Sequence, residues 1–328
     1  MVLVLSRADL KTVLTMRETI ASVEEAFREL ASGTAIMPTR IGLSIADKAG
    51  WMGAMPAYLS HAGALGTKIV SSYRDNPSKH GLPTVLALIV LNDPETGQPE
   101  AVLEGTFITA MRTGAASGVA TKYLAKKDAR VVGIFGAGIQ ARTQLEAIRE
   151  VRNAQLAVVY DIVRDRGERF AEETSRSLGI DVRTEDNPER VVQKSDIVVT
   201  ASTSKTPVFK GDHLKIGTHI NAIGSFTRDA RELDDPAVRR SKIVVDSLQA
   251  TLEEAGDLII PLRSGVIQRS DIHAELGEIV AGLKPGREND HEITLFKSVG
   301  LGIQDAAAAN LAYRKAREAN IGTKIELG

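Results

Sequence analysis

Residues 131–141 read Val-Val-Gly-Ile-Phe-Gly-Ala-Gly-Ile-Gln-Ala, and this stretch decides the fold class. A short apolar run, 131–135, ends at Gly136, and helical periodicity continues from there to Ile148. A buried strand that turns sharply into a helix is the first unit of a βαβ motif. The stretch therefore predicts an α/β domain that starts close to residue 131.

The glycines of this turn have the spacing of a dinucleotide-binding site. The first glycine of such a site lets the strand turn, the second lets the backbone approach a pyrophosphate, and a third small residue lets helix and strand pack closely. The amino terminus of the helix then offers unpaired N–H groups to the phosphates. The cofactor-binding residues predicted here are Gly136, Gly138, Ile139, Gln140 and Ala141.

An acidic residue follows the next apolar run. Asp161 lies 25 positions after Gly136 and directly after the run 155–160. An acid there hydrogen-bonds the adenosine ribose 2′-hydroxyl of NAD and repels the 2′-phosphate of NADP. Arg164 and Arg166 come next; they could accept a 2′-phosphate, or they could be solvated residues at a helix start. The sequence favours NAD and leaves NADP open, with Asp161 and Arg164 both in the predicted cofactor site.

Short apolar runs and helix-length intervals alternate after this point. Such alternation is typical of a parallel sheet that is buried on both faces, and it predicts a Rossmann-type doubly wound sheet over residues 122–295. Residues 1–121 instead show one helical segment, 9–32, and a hairpin pattern over 83–104. They predict an α+β domain with a mostly antiparallel sheet. An Ala-rich amphipathic helix over 303–320 is expected to pack back on it, so the first domain comprises 1–121 plus 296–328.

Composition excludes several classes of protein. The chain has 328 residues, a formal net charge of −1, 43% hydrophobic residues and no cysteine. Zero cysteine excludes disulfides, cysteine-ligated metals and a thiol nucleophile, and near-zero charge argues against nucleic-acid binding. The longest apolar run, 85–91, is far short of a membrane span, and the amino terminus lacks the pattern of a secretory signal. The six histidines show no zinc-binding spacing, so no metal is expected. A soluble, cytoplasmic, two-domain protein is predicted.

An ordered set of motifs runs nearly end to end. These motifs are Met37–Arg40, Met55–Leu59, Gly66–Lys68, Gly81–Thr84, Met111–Ala115, Gly136–Ala141, His219–Gly224 and Phe296–Gly300. In this combination the chain resembles the ornithine cyclodeaminase/mu-crystallin family, which includes archaeal-type alanine dehydrogenases and ketimine reductases. The resemblance implies a homodimer joined through the first domain, which also binds the substrate, with the active site in the cleft between the domains.

The resemblance also implies roles for individual residues. Arg40, Lys68 and Arg112 match the ligands of the substrate α-carboxylate, and an arginine fork suits a carboxylate chemically. A partly buried lysine beside two arginines should have a lowered pKa and could donate or accept a proton. Each of these residues taken alone could be an ordinary surface charge. Weaker matches are Thr84 for substrate, Thr113 for a cofactor phosphate and Ser298 for the nicotinamide pocket; Thr113 and Ser298 could also be simple turn residues.

One departure from the family pattern bears on the reaction. Cyclodeaminases and alanine dehydrogenases of the family carry an aspartate two positions after Gly224, where this sequence has Phe226. A phenyl ring neither takes a proton nor activates water. Asp229 lies three residues further on and is typical of a turn or cap.

The sequence therefore predicts an NAD(P)-dependent oxidoreductase of a small amino or imino acid. The expected substrates are a cyclic ketimine such as pyrroline-2-carboxylate or, as for alanine dehydrogenase, an open imine. One alternative is an ornithine cyclodeaminase, which releases ammonia with NAD bound. The other is a non-catalytic NAD(P)H-binding protein of the mu-crystallin kind.

Overall fold

The computed structural model describes residues 1–326, which form two compact units. The first unit is Met1–Arg112 together with the segment from Leu301 onward, and the second is Thr113–Gly300. The sequence-based bounds were 1–121 plus 296–328 for one domain and 122–295 for the other. The observed junction, between Arg112 and Thr113, and the expected one, between 121 and 122, both fall inside the helix Gly105–Leu124.

The first unit begins with ten elements and the start of an eleventh. They are β1 (Val2–Leu5), α1 (Arg7–Val13), α2 (Met16–Ala31), β2 (Ala35–Ile36), β3 (Ile41–Ile45), β4 (Gly50–Leu59), β5 (Ala64–Tyr73), α3 (Asn76–Lys79), β6 (Val85–Asn92), β7 (Pro99–Glu104) and α4 (Gly105–Leu124), whose second half belongs to the other unit.

The second unit continues from α4 with strands and helices in alternation. Its elements are β8 (Val131–Phe135), α5 (Ile139–Val151), β9 (Leu156–Tyr160), α6 (Arg164–Leu178), β10 (Asp181–Thr184), α7 (Pro188–Lys194), β11 (Ile197–Thr200), β12 (His219–Ala222), α8 (Asp235–Arg239), β13 (Ser241–Val245), α9 (Leu248–Glu254), α10 (Gly256–Arg263), β14 (Ile272–Glu275), α11 (Leu276–Val280) and β15 (Ile293–Lys297). The chain then returns to the first unit with α12 (Gly302–Ala319) and β16 (Thr323–Ile325).

The sheet of the first unit is antiparallel except for the pair β1–β7. Its strand order is β16-β1-β7-β6-β5-β4-β2, with β3 also paired to β4. One face is covered by α1, α2 and α12, whose alanines (308, 309, 312 and 316) pack with strand residues such as Leu91 and Leu103. Small side chains let this helix lie close to the sheet, which brings its first turn against β4 and β5.

The single helix expected over 9–32 is wrong: the structure has two helices there. Leu14 is extended, and the Thr15 hydroxyl accepts the Glu18 N–H and so caps the start of α2. A threonine followed three residues later by a glutamate is an N-cap signal, and it overrides the helical spacing of the apolar residues.

The sheet of the second unit confirms the predicted α/β class. All its pairs are parallel, and the strand order is β10-β9-β8-β11-β12-β15-β13-β14. Successive strands are added on one side of β8, as β9 and β10, and then on its other side, as β11 and β12. Ligands of such sheets bind outside the carboxyl ends of the strands at this switch point between β8 and β11. Within residues 1–326, no helix is long and apolar enough to span a membrane.

Candidate active site

The turn between β8 and α5 lies at the switch point and is built around two glycines with different constraints. Gly136 has φ +97°, and a Cβ there would lie 2.6 Å from the Ala201 carbonyl oxygen, so only glycine fits. A Cβ on Gly138 would meet nothing within 4 Å. Gly138 also caps α5 with no side-chain hydrogen bond to the first-turn N–H groups. Open space in front of an uncapped helix amino terminus fits a pyrophosphate.

Asp161 is tied to this turn. Its Oδ2 accepts the Ala137 N–H at 2.9 Å and its Oδ1 accepts the Val163 N–H at 2.9 Å. A carboxylate oxygen can accept more than one hydrogen bond, so the aspartate can still bind ribose hydroxyls. Arg164 forms ion pairs with Glu168 and Asp186, at 2.8 and 3.2 Å. Because carboxylates already neutralise this arginine, the turn fits NAD better than NADP.

The remaining predicted cofactor residues occupy varied positions in the second unit. All three of the next residues lie in the first turn of α5, where Ile139 is exposed, Gln140 is half-buried and Ala141 is buried. Thr113 is buried on α4, where its carbonyl oxygen accepts the Gln144 amide at 3.1 Å. Ser298 is buried after β15 and donates to Asp246 Oδ2 at 2.7 Å.

Three buried charges meet inside the first unit. Lys68 points inward from β5, Arg112 from α4 and Asp305 from the first turn of α12, and their side chains are only 2%, 6% and 1% exposed. Lys68 Nζ lies 2.7 Å from Asp305 Oδ2, and Arg112 Nε donates to Asp305 Oδ1 at 2.9 Å. Two cations therefore share one carboxylate in a buried position, which leaves positive charge for an anionic ligand.

Strand register brings Arg40 to the same place. Arg40 directly precedes Ile41, which pairs with Ala54, and the next residue of β4, Met55, pairs with Lys68. Burial lowers the pKa of Lys68 to about 7, assisted by the charges of Arg112 and Arg40 and opposed by Asp305. We name Arg40, Lys68, Arg112 and Asp305 the basic cluster.

Thr84 does not belong to the basic cluster. It lies beside the start of β6, where its carbonyl oxygen accepts the Tyr73 N–H at 2.8 Å. Lys68 pairs with Ile89, five residues further along β6, and at a rise of about 3.3 Å per residue this is roughly 16 Å away.

Two residues of the site were missed by sequence reasoning. From the sequence, Asp305 fits a position near the cofactor and a helix-start acid favoured by the helix dipole equally well, and no motif singles out Gln304. In the structure, Gln304 Oε1 accepts from Arg112 Nη1 at 2.7 Å, and both side chains are fully buried. The available signal was two adjacent polar residues at the start of an otherwise Ala-rich helix.

A second group of buried charges lies in the second unit. Lys297 Nζ is 2.8 Å from Asp257 Oδ2 and donates to the Ser225 carbonyl oxygen. Asp257 Oδ1 accepts the N–H groups of Glu232 and Leu233. We name Lys297, Asp257 and Glu232 the buried ion network.

Glu232 completes this network from the other side. It accepts hydrogen bonds from Ser202 and from the Gly224 N–H. Burial raises its pKa, and the charge of Asp257 adds to the effect. The three side chains of the network thus hold both ends of the segment 224–233.

The segment 224–233 contains Phe226, which stands where the family pattern has an aspartate. The Phe226 side chain is 45% exposed at the carboxyl edge of the sheet. Asp229, three residues further along the same segment, is exposed as well. His219, on the neighbouring β12, is fully buried, and burial lowers its pKa to about 3, so it stays neutral.

Three known proteins are similar to this chain over nearly its full length. A Thermococcus litoralis Δ1-pyrroline-2-carboxylate reductase, solved with NADH and L-proline, is 56% identical, covers 98% of this chain and all of its own, and superposes with a TM-score of 0.97. An archaeal alanine dehydrogenase dimer with bound NAD is 42% identical, with 100% and 99% coverage and a TM-score of 0.94. A Δ1-pyrroline-2-carboxylate reductase of Bacillus cereus is 40% identical over 99% of both chains.

The family model described as ornithine cyclodeaminase/mu-crystallin matches residues 2–320. That range includes the glycine turn, the basic cluster and the buried ion network. The chain belongs to the ornithine cyclodeaminase/mu-crystallin family.

Proposed function

We propose that this chain is an NAD-dependent reductase of a small cyclic imino acid, with Δ1-pyrroline-2-carboxylate as the preferred substrate. The observation that carries the proposal is the basic cluster, in which two buried cations share one carboxylate. Such a site takes an anion in order to balance its charge. A substrate carboxylate next to a C=N bond has that charge.

The substrate carboxylate binds to Arg112 and Arg40. Asp305 and Gln304 accept from Nε and Nη1 of Arg112, and neither of these bonds uses Nη2, which we propose donates to the substrate carboxylate. Charge-assisted bonds of this kind contribute about 1.5–3 kcal/mol each. They fix the orientation of the C=N carbon, and positioning of this kind lowers the barrier.

Lys68 supplies the proton. As the imine carbon gains a hydride, the C=N π bond breaks and the nitrogen takes a proton from the Lys68 ammonium. The lysine is left neutral and regains a proton from solvent. A proton donor with a pKa of about 7 is well matched to work near neutral pH.

The second unit fits the cofactor through Gly136, Gly138 and Asp161, with Thr113, Ile139, Gln140, Ala141 and Ser298 as further proposed contacts. NADH, when bound, supplies the hydride to the imine carbon. Thr84 remains a proposed substrate contact at a larger distance from Lys68.

Phe226 favours a reductase over a cyclodeaminase. Release of ammonia from ornithine requires a base for the side-chain amine, and the phenyl ring cannot serve as one. The 56% identity to the Thermococcus reductase supports the same choice over the alanine dehydrogenase, which is 42% identical.

The test is a substrate panel with purified protein. We expect NADH oxidation with Δ1-pyrroline-2-carboxylate to exceed that with pyruvate plus ammonia, and to exceed the rate with NADPH. Proline and ammonia formed from ornithine without net change in NADH would support the cyclodeaminase instead. Tight NADH binding without turnover of any substrate would support the binding protein.

We also propose that the protein is a homodimer formed through the sheet of the first unit. The face opposite the helices exposes an apolar surface that spans β3, β4, β5 and β6. Ile41 and Leu43 are 68% and 63% exposed, and the row Ile41–Ala54–Ile69–Leu88 continues across the strands. Contiguous apolar surfaces of this kind mark protein interfaces.

The dimer is tested with Leu88→Glu, which buries a charge in the proposed interface. Leu283→Glu is the matched control, because Leu283 is an exposed leucine of the second unit. Light scattering after size exclusion should give twice the 35.2 kDa chain mass for the wild type and the control, and the chain mass for Leu88→Glu. A monomeric wild type would contradict the proposal.

A further inference from the structure

Asp305 is buried in the basic cluster, yet no part of the proposed reaction gives it a substrate contact. Each of its carboxylate oxygens faces a different cation: Oδ1 accepts from Arg112 Nε, and Oδ2 lies beside Lys68 Nζ. We propose that Asp305 is a positioning residue that holds Lys68 and Arg112 side by side and keeps Lys68 protonated until the proton is transferred. The inference rests on the proposed function of this site.

The first part of the inference follows from hydrogen-bond geometry. Lys68 is carried by a strand and Arg112 by a helix, and both side chains are long and rotamer-rich, with a high entropic cost of ordering. Asp305 joins them at 2.7 and 2.9 Å. Gln304, one residue earlier, fixes the guanidinium at a second nitrogen. The first turn of α12 thus determines which edge of Arg112 meets the substrate and how far that edge lies from the Lys68 ammonium.

The second part follows from the charges around Lys68. Arg112 faces it from α4, Arg40 from the segment before β3, and Asp305 from α12. Its neighbours in the flanking strands β4 and β6 are Met55 and Ile89, which do not titrate. Both arginines and burial favour the neutral amine, and Asp305 favours the ammonium. Without the carboxylate, Lys68 would lose its proton at lower pH and would be a poor donor at neutral pH.

The experiment uses Asp305→Asn, Asp305→Glu and a matched control, Glu29→Gln. Glu29 is a buried acid of the same unit that accepts the N–H groups of His61 and Ala62 at 3.0 Å. The measured quantity is the pH midpoint above which kcat for imine reduction falls. We expect Asp305→Asn to move this midpoint down by about one to three pH units, the usual effect of losing an adjacent opposite charge. Asp305→Glu keeps the charge, so its pH midpoint should stay close to the wild-type value. Glu29→Gln should leave the midpoint unchanged.

A second readout does not depend on turnover. NMR of ¹³C-labelled lysine side chains, with the Lys68 signal assigned from Lys68→Met, follows the titration of Lys68 directly. It should show the same downward shift in Asp305→Asn. If the wild type reduces no imine, the proposed function fails, while this titration still decides the role of Asp305.

A purely structural role predicts a different result. In that case Asp305→Asn would lower thermal stability and kcat but would leave the kinetic midpoint and the NMR titration at their wild-type values, and that outcome would overturn the inference. If Asp305→Asn does not fold, Asp305→Ser takes its place: it also removes the carboxylate, so it should lower the midpoint in the same direction, and an unshifted midpoint in folded Asp305→Ser counts against the inference.

Discussion

The two units each bury a lysine against an aspartate, and the two pairs differ in what surrounds them. In the second unit, Lys297 donates to Asp257 and to a carbonyl oxygen, and Asp257 also holds two backbone N–H groups. In the first unit, Lys68 and Arg112 share Asp305. In the buried ion network the single lysine is paired with Asp257, and Glu232 accepts hydrogen bonds from Ser202 and the Gly224 N–H, whereas the basic cluster keeps an excess of positive charge.

The difference teaches that a buried ion pair does not by itself identify an active site. A buried pair is weak evidence for function or for stability, because it must first offset the desolvation of both charges. The informative quantity is the balance of charge after every partner has been counted. By this criterion the Lys297 pair positions the segment 224–233, and the Lys68 pair belongs to the site that we propose binds an anionic substrate.

The largest expected effect is on catalysis by Lys68→Met. We expect kcat for imine reduction to fall by about 10²–10⁴-fold, the usual contribution of a general acid, while NADH binding measured by fluorescence stays near the wild-type value. Lys315→Met is the control, since Lys315 forms a half-exposed ion pair with Glu18 in the same unit, and exposed pairs contribute little. If kcat of Lys68→Met stays within tenfold of the wild-type value, Lys68 is not the proton donor, and the basic cluster has no catalytic role that distinguishes it from the buried ion network.

The next largest effect is on the free energy of unfolding and concerns the buried ion network. Lys297→Met leaves Asp257 charged and buried, so we expect the free energy of unfolding to fall by about 3–5 kcal/mol. Lys68→Met should cost less, because Asp305 keeps its bond to Arg112. Urea unfolding of both variants measures the contrast, and equal losses would argue that the two lysines have the same structural role.

A third test uses pH. Because the pKa of Lys68 is lowered to about 7, imine reduction, which needs the ammonium, should fall about tenfold per unit once pH exceeds that value. Oxidation of the cyclic amino acid needs the neutral amine of Lys68, so its rate should rise through the same pH.

The free energy of unfolding should also rise between pH about 7 and pH 10.5, because in this range only the unfolded chain holds the Lys68 proton. Lys68→Met should abolish that component of the stability profile.

The smallest effect concerns Asp161, the side-chain carboxylate that we propose binds the ribose of the cofactor. Each carboxylate oxygen of Asp161 accepts one backbone N–H and can accept a further hydrogen bond. Asp161→Ser should lower the ratio of kcat/KM for NADH over NADPH by about ten- to a hundredfold, the equivalent of one charge-assisted bond of about 1.5–3 kcal/mol. An unchanged ratio would show that the 2′-position of the ribose is recognised elsewhere.

Local signals predicted much of the fold. The apolar runs 131–135 and 155–160 predicted β8 and β9, because fully buried parallel strands are continuously hydrophobic. The strands β10, β14 and β15 were missed. β10 is mostly exposed and β14 is only half-buried, and the fully buried β15 has the polar residues Thr294 and Lys297 in place of a continuous apolar run. The separate helices α1 and α2 were missed because the apolar spacing continues across the Thr15 cap.

The sequence by itself singled out the glycine turn 136–141 and Asp161 after β9, because each depends on local geometry. It singled out Arg40, Lys68 and Arg112 through the family motifs that contain them. Tertiary structure alone decided that Asp305 joins Lys68 to Arg112. These residues are 237 and 193 positions away from Asp305 in the chain. Contact over such distances depends on how α12 packs on β5 and α4, and no local pattern encodes it. The same packing gives Lys68 its low pKa, since burial is a property of the folded chain and not of the residue.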